Sequence, residues 1–448
     1  MKTIYKLFTI LFIGSILLPA CEKALDMEQK MELSEELAFT SVIGLQTAVI
    51  GMYDRMQGGD LYGGNFQAAG DMLGDFVKKS GEGNIVYEET QMFDKNLTPD
   101  NRISASMWSN AYWIVNQANV ILANIPAVTD PELTPAIKNR IEGECLFVRA
   151  AITFEILRYW GNPKTGLGVP LLTKPTGIIG DDAKPSRATI EACYTQIIAD
   201  LNKAMDQLPE TNSQRATKWA AAAYLSRVYF YKGDYPNCEI ISTSVIESNK
   251  FDLVDSLPLN YLPEPGKETI FAIMSTKTDG SSGTLNGYYR KASGAKLSPS
   301  NDILKIFLFS GGDADKRKSQ LLAFIGSKWF STKYDDRYMS VPVIRLAEIY
   351  LNRAEARFNL YPTNPTLALA DMNMVRTKRG LPAEMSLTFK KLEYERTKEL
   401  YIEGDQFHNY RRLQKSSMSN YNLPYDDSRL MFKIPQREID VNPNLVQN

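Results

Sequence analysis

Apolar side chains recur at steps of three and four along most of the chain, which is the pattern of helices with one buried face. In the stretch MWSNAYWIVNQANVIL, for example, Trp108, Tyr112, Val115 and Leu122 fall on the same face. The segments that predict long helices in this way are 39–56, 107–125 and 140–160. The periodicity therefore predicts a mostly helical protein.

Two later parts of the chain predict helix pairs of the tetratricopeptide type. Residues 218–246 contain two helical segments, joined by a turn at Gly233. Residues 341–360 and 366–380 form a second such unit. A single pair cannot bury its apolar face, so several pairs are expected to stack in one body.

Two regions interrupt the helical pattern and predict loops. The stretch Met56–Phe76 is rich in glycine, and residues 251–340 are rich in Gly, Ser, Pro and aromatic side chains. Within the second region, TIFAIM predicts a short strand and Gly280–Gly287 predicts an exposed loop. Because binding residues concentrate on loops held by a rigid scaffold, the two regions are expected to form the ligand-binding face.

The N-terminus has the composition of an export signal. Lys2 and Lys6 precede an apolar run that is too short to span a membrane, and Ala20 directly precedes Cys21. We predict a signal peptide at 1–20, a lipid on Cys21, a tether at 21–38 and a single domain at 39–448, in which 251–340 is the variable part. The alternative is an ordinary secretory signal that contains a cysteine.

Composition narrows the classes of partner. The formal charge of −1 and the absence of a basic run make nucleic acid an unsuitable partner. Cys145, Cys193 and Cys238 fall in helical patterns without zinc-ligand spacing, which predicts buried, unpaired thiols. We predict no metal, no cofactor and no catalytic residue, although scattered acids leave a calcium site open.

Ordered motifs resemble the SusD/RagB family of outer-membrane nutrient-binding lipoproteins. The most specific is VIRLAEIYLNRAEARF, and it is preceded by a lipobox at Cys21, TAVIGMYDRM and VRAAITFEILRYWGNPKTGLGVPLL. It is followed by MNMVRTKRGLP, ERTKELYIEGDQF and FKIPQREIDVNPNLVQN. Two positions differ from the family pattern, because Gln406 and Asn409 stand where a pair of Arg and Asp is usual. We expect this amide pair to keep a hydrogen bond on an exposed surface.

The resemblance implies a fold and a role. The fold is a mostly α, single SusD-like body with four tetratricopeptide-like helix pairs, a loop-rich ligand face and a few short strands. The role is to capture a nutrient at the cell surface and deliver it to a SusC-like TonB-dependent outer-membrane transporter. The membrane contact is the lipid anchor alone. The nutrient is an oligosaccharide or, less often in this family, a peptide.

Two other functions compete with nutrient binding, namely a helical-repeat scaffold for another protein and a surface glycosidase. A glycosidase needs two carboxylates across a cleft, and Glu395, Glu399 and Glu403 are spaced four apart. Such runs usually mark a charge-paired helix face that ends here at Gly404. The only histidine, His408, is interpreted as a framework residue.

Carbohydrate binding requires aromatic faces beside amide and charged groups. Both predicted loop regions contain these residue types, and Trp329 is expected to lie in the core instead. The predicted ligand-binding residues are Tyr62, Asn65, Phe66, Asp71, Asn286, Tyr288, Tyr289 and Arg290, with Asp60 as a further hydroxyl acceptor. Replacing Tyr288 and Tyr289 by Ala is expected to weaken ligand retention without lowering the melting temperature.

Overall fold

A computed structural model describes residues 39–176, 184–278, 283–416 and 421–448. The predicted signal peptide, Cys21 and the whole of the predicted tether lie outside these residues. Within the described residues, no helix combines the length and the apolar character that a membrane crossing needs. Cys145, Cys193 and Cys238 are buried free thiols, as the sequence predicts.

Helices form most of the described structure. The helices are α1 (Val42–Gln57), α2 (Asn65–Leu73), α3 (Tyr87–Phe93), α4 (Arg102–Asn124), α5 (Pro135–Trp160), α6 (Ile190–Gln207), α7 (Lys218–Lys232), α8 (Tyr235–Glu247), α9 (Gly283–Tyr289), α10 (Asn301–Phe309), α11 (Lys316–Leu321), α12 (Leu346–Leu360), α13 (Thr366–Lys378), α14 (Phe389–Glu399), α15 (Asp405–Arg412) and α16 (Gln436–Val441). The long helices confirm the periodicity, and α7–α8 and α12–α13 are the two predicted helix pairs.

Local sequence explains where the principal helices begin and end. Side-chain oxygens of Ser41, Asn101 and Thr134 accept hydrogen bonds from backbone N–H groups in the first turns of α1, α4 and α5. Gly233 ends α7 with φ of 79°, a left-handed conformation that glycine adopts without strain. The alanines at the start of α7 are buried, so neighbouring helices approach closely there.

The described residues form three small antiparallel sheets, two of which join distant parts of the chain. The strands are β1 (Val77–Lys79), β2 (Thr269–Ile273), β3 (Leu297–Pro299), β4 (Leu322–Ile325), β5 (Lys328–Ser331) and β6 (Val341–Arg345). They pair as β1–β3, β2–β6 and the hairpin β4–β5. The predicted strand TIFAIM is therefore confirmed as β2, and its partner leads directly into α12.

The charged run near the C-terminus differs from its prediction. Helix α14 ends at Glu399, and Gly404, with φ of 75°, precedes α15 instead of ending the earlier helix. Glu395 and Glu399 are buried, so this is not a solvated helix face. The reason is that arginines from distant segments pair with these carboxylates inside the protein.

These buried carboxylates and arginines belong to an interior charge cluster, in which acidic and basic side chains balance. Glu399 accepts hydrogen bonds from Arg345 at 2.8 Å and from Arg379 at 2.8 and 2.9 Å. The members of the cluster are Arg317, Lys333, Arg345, Arg379 and Lys398 on the basic side, and Glu268, Asp315, Glu395, Glu399 and Glu403 on the acidic side. Buried charges require such pairing, because an uncompensated charge is costly away from water.

The amide pair of Gln406 and Asn409 is also buried, contrary to the expectation of an exposed pair. Gln406 accepts a hydrogen bond from the Thr397 hydroxyl at 3.2 Å, and Asn409 accepts one from Arg412 at 2.7 Å. The expectation of a surface pair is therefore wrong, because each amide is engaged by another side chain.

Candidate functional site

The two predicted loop regions meet, although residues 77–250 separate them along the chain. The carbonyl of Gly63 accepts a hydrogen bond from the backbone N–H of Leu285 at 3.2 Å. A Cβ atom on Gly59 or Gly64 would come within 2.2 and 2.5 Å of the Thr284 side chain. Glycine is therefore required where the N-terminal part of α9 rests on this loop.

The two regions are nevertheless more ordered and more buried than the sequence predicts. Helix α2 begins within the first region and α9 forms within the second, so neither region is a simple loop. Of the predicted ligand-binding residues, Arg290 is half-buried and the following are buried: Tyr62, Asn65, Phe66, Asp71, Asn286, Tyr288 and Tyr289. The expectation of exposed aromatic faces is wrong at these positions, since the two helices pack their aromatic side chains against the core. Their role as ligand contacts stays a prediction.

Hydrogen bonds between these buried side chains hold the two regions together. The Tyr288 hydroxyl donates to Asn65 Oδ1 at 3.1 Å, and the Tyr289 hydroxyl donates to Asp71 Oδ2 at 2.6 Å. Burial raises the pKa of Asp71 to about 7, although the bonds from Tyr289 and from the Gly404 N–H act in the opposite direction. Truncating either tyrosine is therefore expected to destabilise the protein, contrary to the expectation from sequence.

Polar groups reach the surface directly beside Asn65. Asp60, in the glycine-rich turn before α2, accepts from Asn110 Nδ2 through Oδ2 at 2.8 Å and from Asn65 Nδ2 through Oδ1 at 3.4 Å. Trp113 lies one helical turn beyond Asn110 on α4 and is 42% exposed. The Arg55 guanidinium, at the end of α1, lies 5.2 Å from the centre of the Trp113 ring. We call Arg55, Asp60, Asn110 and Trp113, together with the buried Asn65 that bonds to Asp60, the Trp113 surface.

The electrostatics of the Trp113 surface suit a polar, neutral ligand. Partial burial raises the pKa of Asp60, and the nearby Arg55 opposes that effect. An exposed indole can stack on an apolar C–H face, while the carboxylate, the amides and the guanidinium can exchange hydrogen bonds with hydroxyl groups. The surface therefore offers both kinds of contact that a sugar ring needs.

The sequence prediction included Asn65 and Asp60 but missed Arg55, Asn110 and Trp113. All three lie in helices, whereas the prediction placed the ligand contacts on loops. A signal was available, because Trp113 falls outside the face formed by Trp108, Tyr112, Val115 and Leu122. A tryptophan on the polar side of an amphipathic helix is a candidate for binding.

A second exposed aromatic pair lies on the β4–β5 hairpin. Phe324 is 60% exposed, and its ring centre lies 5.2 Å from that of Trp329. Trp329 is half-buried and packs against the main core, so its predicted core role is confirmed in part. The Lys318 ammonium lies 5.2 Å from the Trp329 ring. This hairpin provides apolar area with fewer polar partners than the Trp113 surface.

His408 is a framework residue, as predicted. It is buried beside the rings of Tyr159 and Phe407, and burial together with Arg158 and Arg411 lowers its pKa well below the usual range. Within the part of the chain that the structure describes, no group of three or more His, Cys, Asp or Glu side chains is arranged to hold a metal ion.

Two family models match separate parts of the chain. One, described as starch-binding associating with outer membrane, matches residues 23–230, and the model of the SusD family matches residues 324–448. The sequence relatives include SusD-like proteins P38 and P2 of Formosa agariphila, which are each 26% identical over 60% and 49% of this chain. The aligned region spans about half the length of these relatives, at 52% and 42%.

Solved structures match almost the whole fold. A SusD superfamily protein from Bacteroides thetaiotaomicron superposes with a TM-score of 0.80 at 26% identity, covering 91% of this chain and 99% of that one. A protein described as a candidate sugar-binding protein from Bacteroides vulgatus gives 0.79 at 26% identity, covering 91% and 98%. The second description is of a binding protein, which agrees with the sequence prediction of a protein that binds and does not catalyse. The motifs, the helical body and these matches together show that the chain belongs to the SusD/RagB family.

Proposed function

We propose that the chain binds an oligosaccharide at the Trp113 surface. The observation that carries this proposal is an exposed indole held within one helical turn of Asn110, whose amide bonds to the half-buried Asp60. The description of a similar Bacteroides vulgatus structure as a candidate sugar-binding protein supports the same class of ligand.

Different residues of this surface would supply the stacking and the hydrogen bonds that sugar binding needs. Stacking on the indole contributes apolar contact, and the Asp60 carboxylate, fixed by two amide donors, keeps lone pairs available for ligand hydroxyls. Arg55 is oriented by the same ring and can donate to a sugar oxygen. Because Asp60 and Asn110 are already linked, little side-chain freedom is lost when a ligand binds.

The ligand class can be tested with the full chain by affinity electrophoresis against a panel of glycans, with peptides tested by calorimetry. We expect retardation by at least one glycan, and weaker retardation of Trp113→Ala. Binding of peptides alone would contradict the carbohydrate proposal while leaving a nutrient-binding role intact.

We further propose that the protein is anchored by lipid at Cys21 on the outer face of the outer membrane. There it would deliver its ligand to a SusC-like TonB-dependent transporter. The family membership and the export signal of the sequence support this role.

Pull-down of the tagged full chain from outer membranes is expected to recover a large β-barrel protein. The Cys21→Ala variant is expected to be lost from the membrane fraction. Recovery of soluble proteins alone would favour the scaffold function instead.

A further inference from the structure

A pocket of about 300 Å³ lies away from the residues of the Trp113 surface, between the ends of α5, α6, α7 and α15. Its lining is rich in cations, with Arg158, Lys232, Arg411 and Arg412, and it includes one carboxylate, Glu191. The size suits a single small molecule. Packing of the four helices does not by itself account for the positive charge of this lining.

Three of the four cations have a carboxylate partner. Arg158 pairs with Glu155, Lys232 with Glu191 at 2.6 Å, and Arg412 with Glu355 at 2.7 Å. Among the described residues, no carboxylate lies within ion-pair distance of Arg411. The pocket therefore carries one positive charge in excess of its ion pairs.

The contacts of Arg411 compensate only part of its positive charge. Its two terminal nitrogens donate to the carbonyls of Arg158 and Gly161, at 2.7 and 2.8 Å, at the C-terminal end of α5. A helix end supplies only about half a negative charge. Consistent with incomplete compensation, desolvation lowers the pKa of Arg411 to about 10.

Several buried nitrogen atoms of the pocket residues also have no hydrogen-bond partner in the described structure. These are Nε of Arg158, Nε of Arg411 and Nε2 of His408. His408 is 3% exposed, so bulk water does not satisfy its ring nitrogen. Unpaired buried nitrogens beside an open pocket are typical of a site that a ligand or ordered water completes.

We propose that this pocket binds a small organic acid. Its carboxylate would lie near Arg411 and Arg158, and its body would lie against the apolar side formed by Tyr194 and Leu157. An acidic monosaccharide has this combination of one negative charge and a compact body. The proposal is independent of oligosaccharide binding at the Trp113 surface.

Isothermal titration of the full chain at constant ionic strength tests the proposal, with glucuronate, glucose and inorganic sulfate as probes. We expect glucuronate to bind and glucose not to bind. Because a hydrogen bond to a charged group is lost, Arg411→Gln is expected to weaken glucuronate binding about tenfold to a hundredfold. Equal binding of glucuronate by the wild type and Arg411→Gln, or no binding by the wild type, would overturn the proposal.

A second variant keeps the test valid if Arg411→Gln does not fold. The Glu191 side chain is 69% exposed, so Glu191→Gln is expected to fold normally. It removes the negative charge of the lining and is expected to tighten glucuronate binding about twofold to fivefold. Unchanged or weaker binding would contradict the charge-based site. Sulfate binding as tight as glucuronate would show that the organic body contributes nothing, and would overturn the assignment of an organic acid.

Discussion

The interior charge cluster and the Trp113 surface use the same residue types in opposite ways. Around Glu399, acids and bases match, and the principal carboxylates receive several donors from buried arginines. At the Trp113 surface, Asp60 has two amide donors, and the neighbouring indole is exposed. Charged groups are paired with one another in the first region, whereas polar groups in the second retain capacity for a ligand.

Because of this difference, substitutions in the interior charge cluster should change stability, whereas substitutions at the Trp113 surface should change ligand binding. Removing a partner from the buried cluster leaves a charge without compensation, which is among the largest destabilising effects known for single substitutions. Removing an exposed side chain from the Trp113 surface leaves the core unchanged. Mutations in the two regions should therefore move two different measurements.

The largest expected effect is that of Glu399→Ala. It leaves Arg345 and Arg379 buried without one of their main partners, so the free energy of unfolding should fall by about 3–5 kcal/mol. Urea denaturation measures this change. The control is Glu210→Ala, which removes the exposed partner of Lys218 and should leave the urea midpoint nearly unchanged. Equal effects of the two substitutions would contradict the structural role of the cluster.

The next effect is the pH dependence of stability that arises from Asp71, the buried partner of Tyr289 and of the Gly404 N–H. Its pKa of about 7 is above that of an unfolded aspartate, so the folded protein holds the proton more tightly. Stability therefore falls as pH rises from about 4 to 7 on account of this group, and the loss is complete above about pH 8.

The variant Asp71→Asn cannot undergo this loss. Relative to the wild type, its free energy of unfolding should rise by roughly 2–4 kcal/mol between pH 4 and pH 8. Denaturation of both proteins across this range gives the difference, in which other titrating groups cancel. A constant difference would show that Asp71 is ionised in the folded protein at all these pH values.

The smallest effect is expected for Tyr288→Phe. The substitution removes the hydroxyl that donates to Asn65 but keeps the packed ring, so stability should fall by about 0.5–1.5 kcal/mol. Glycan affinity should change little, because the hydroxyl lies behind the surface. A large loss of affinity with unchanged stability would instead place Tyr288 in contact with ligand, as the sequence prediction had it.

Local sequence determines how far the fold could be predicted. Helices such as α1 and α4 follow from apolar periodicity, and the turn at Gly233 follows from its glycine. The burial of Glu395 and Glu399 could not be predicted from their own segment, because their partners Arg317 and Arg345 lie in distant segments of the chain. A charged run has the same local pattern whether it faces water or distant arginines.

The candidate site shows the same limit. The sequence identified the two regions that meet, including Asn65, but composition could not show that α9 buries its two tyrosines against α2. Exposure of Trp113 depends on which side of α4 packs, and that is set by α1 and α5. The sequence therefore predicted the residue types of the site, but it did not predict which of these residues are buried and which are exposed.

The most direct test of the account is calorimetric titration of the full chain with a glycan that it retains in affinity electrophoresis. Three proteins are compared: the wild type, Trp113→Ala and the matched control Phe324→Ala on the β4–β5 hairpin. We predict that Trp113→Ala weakens binding by at least about tenfold without a change in melting temperature, while Phe324→Ala binds as the wild type does. Normal binding by Trp113→Ala together with loss in Phe324→Ala would contradict the account and move the site to the hairpin.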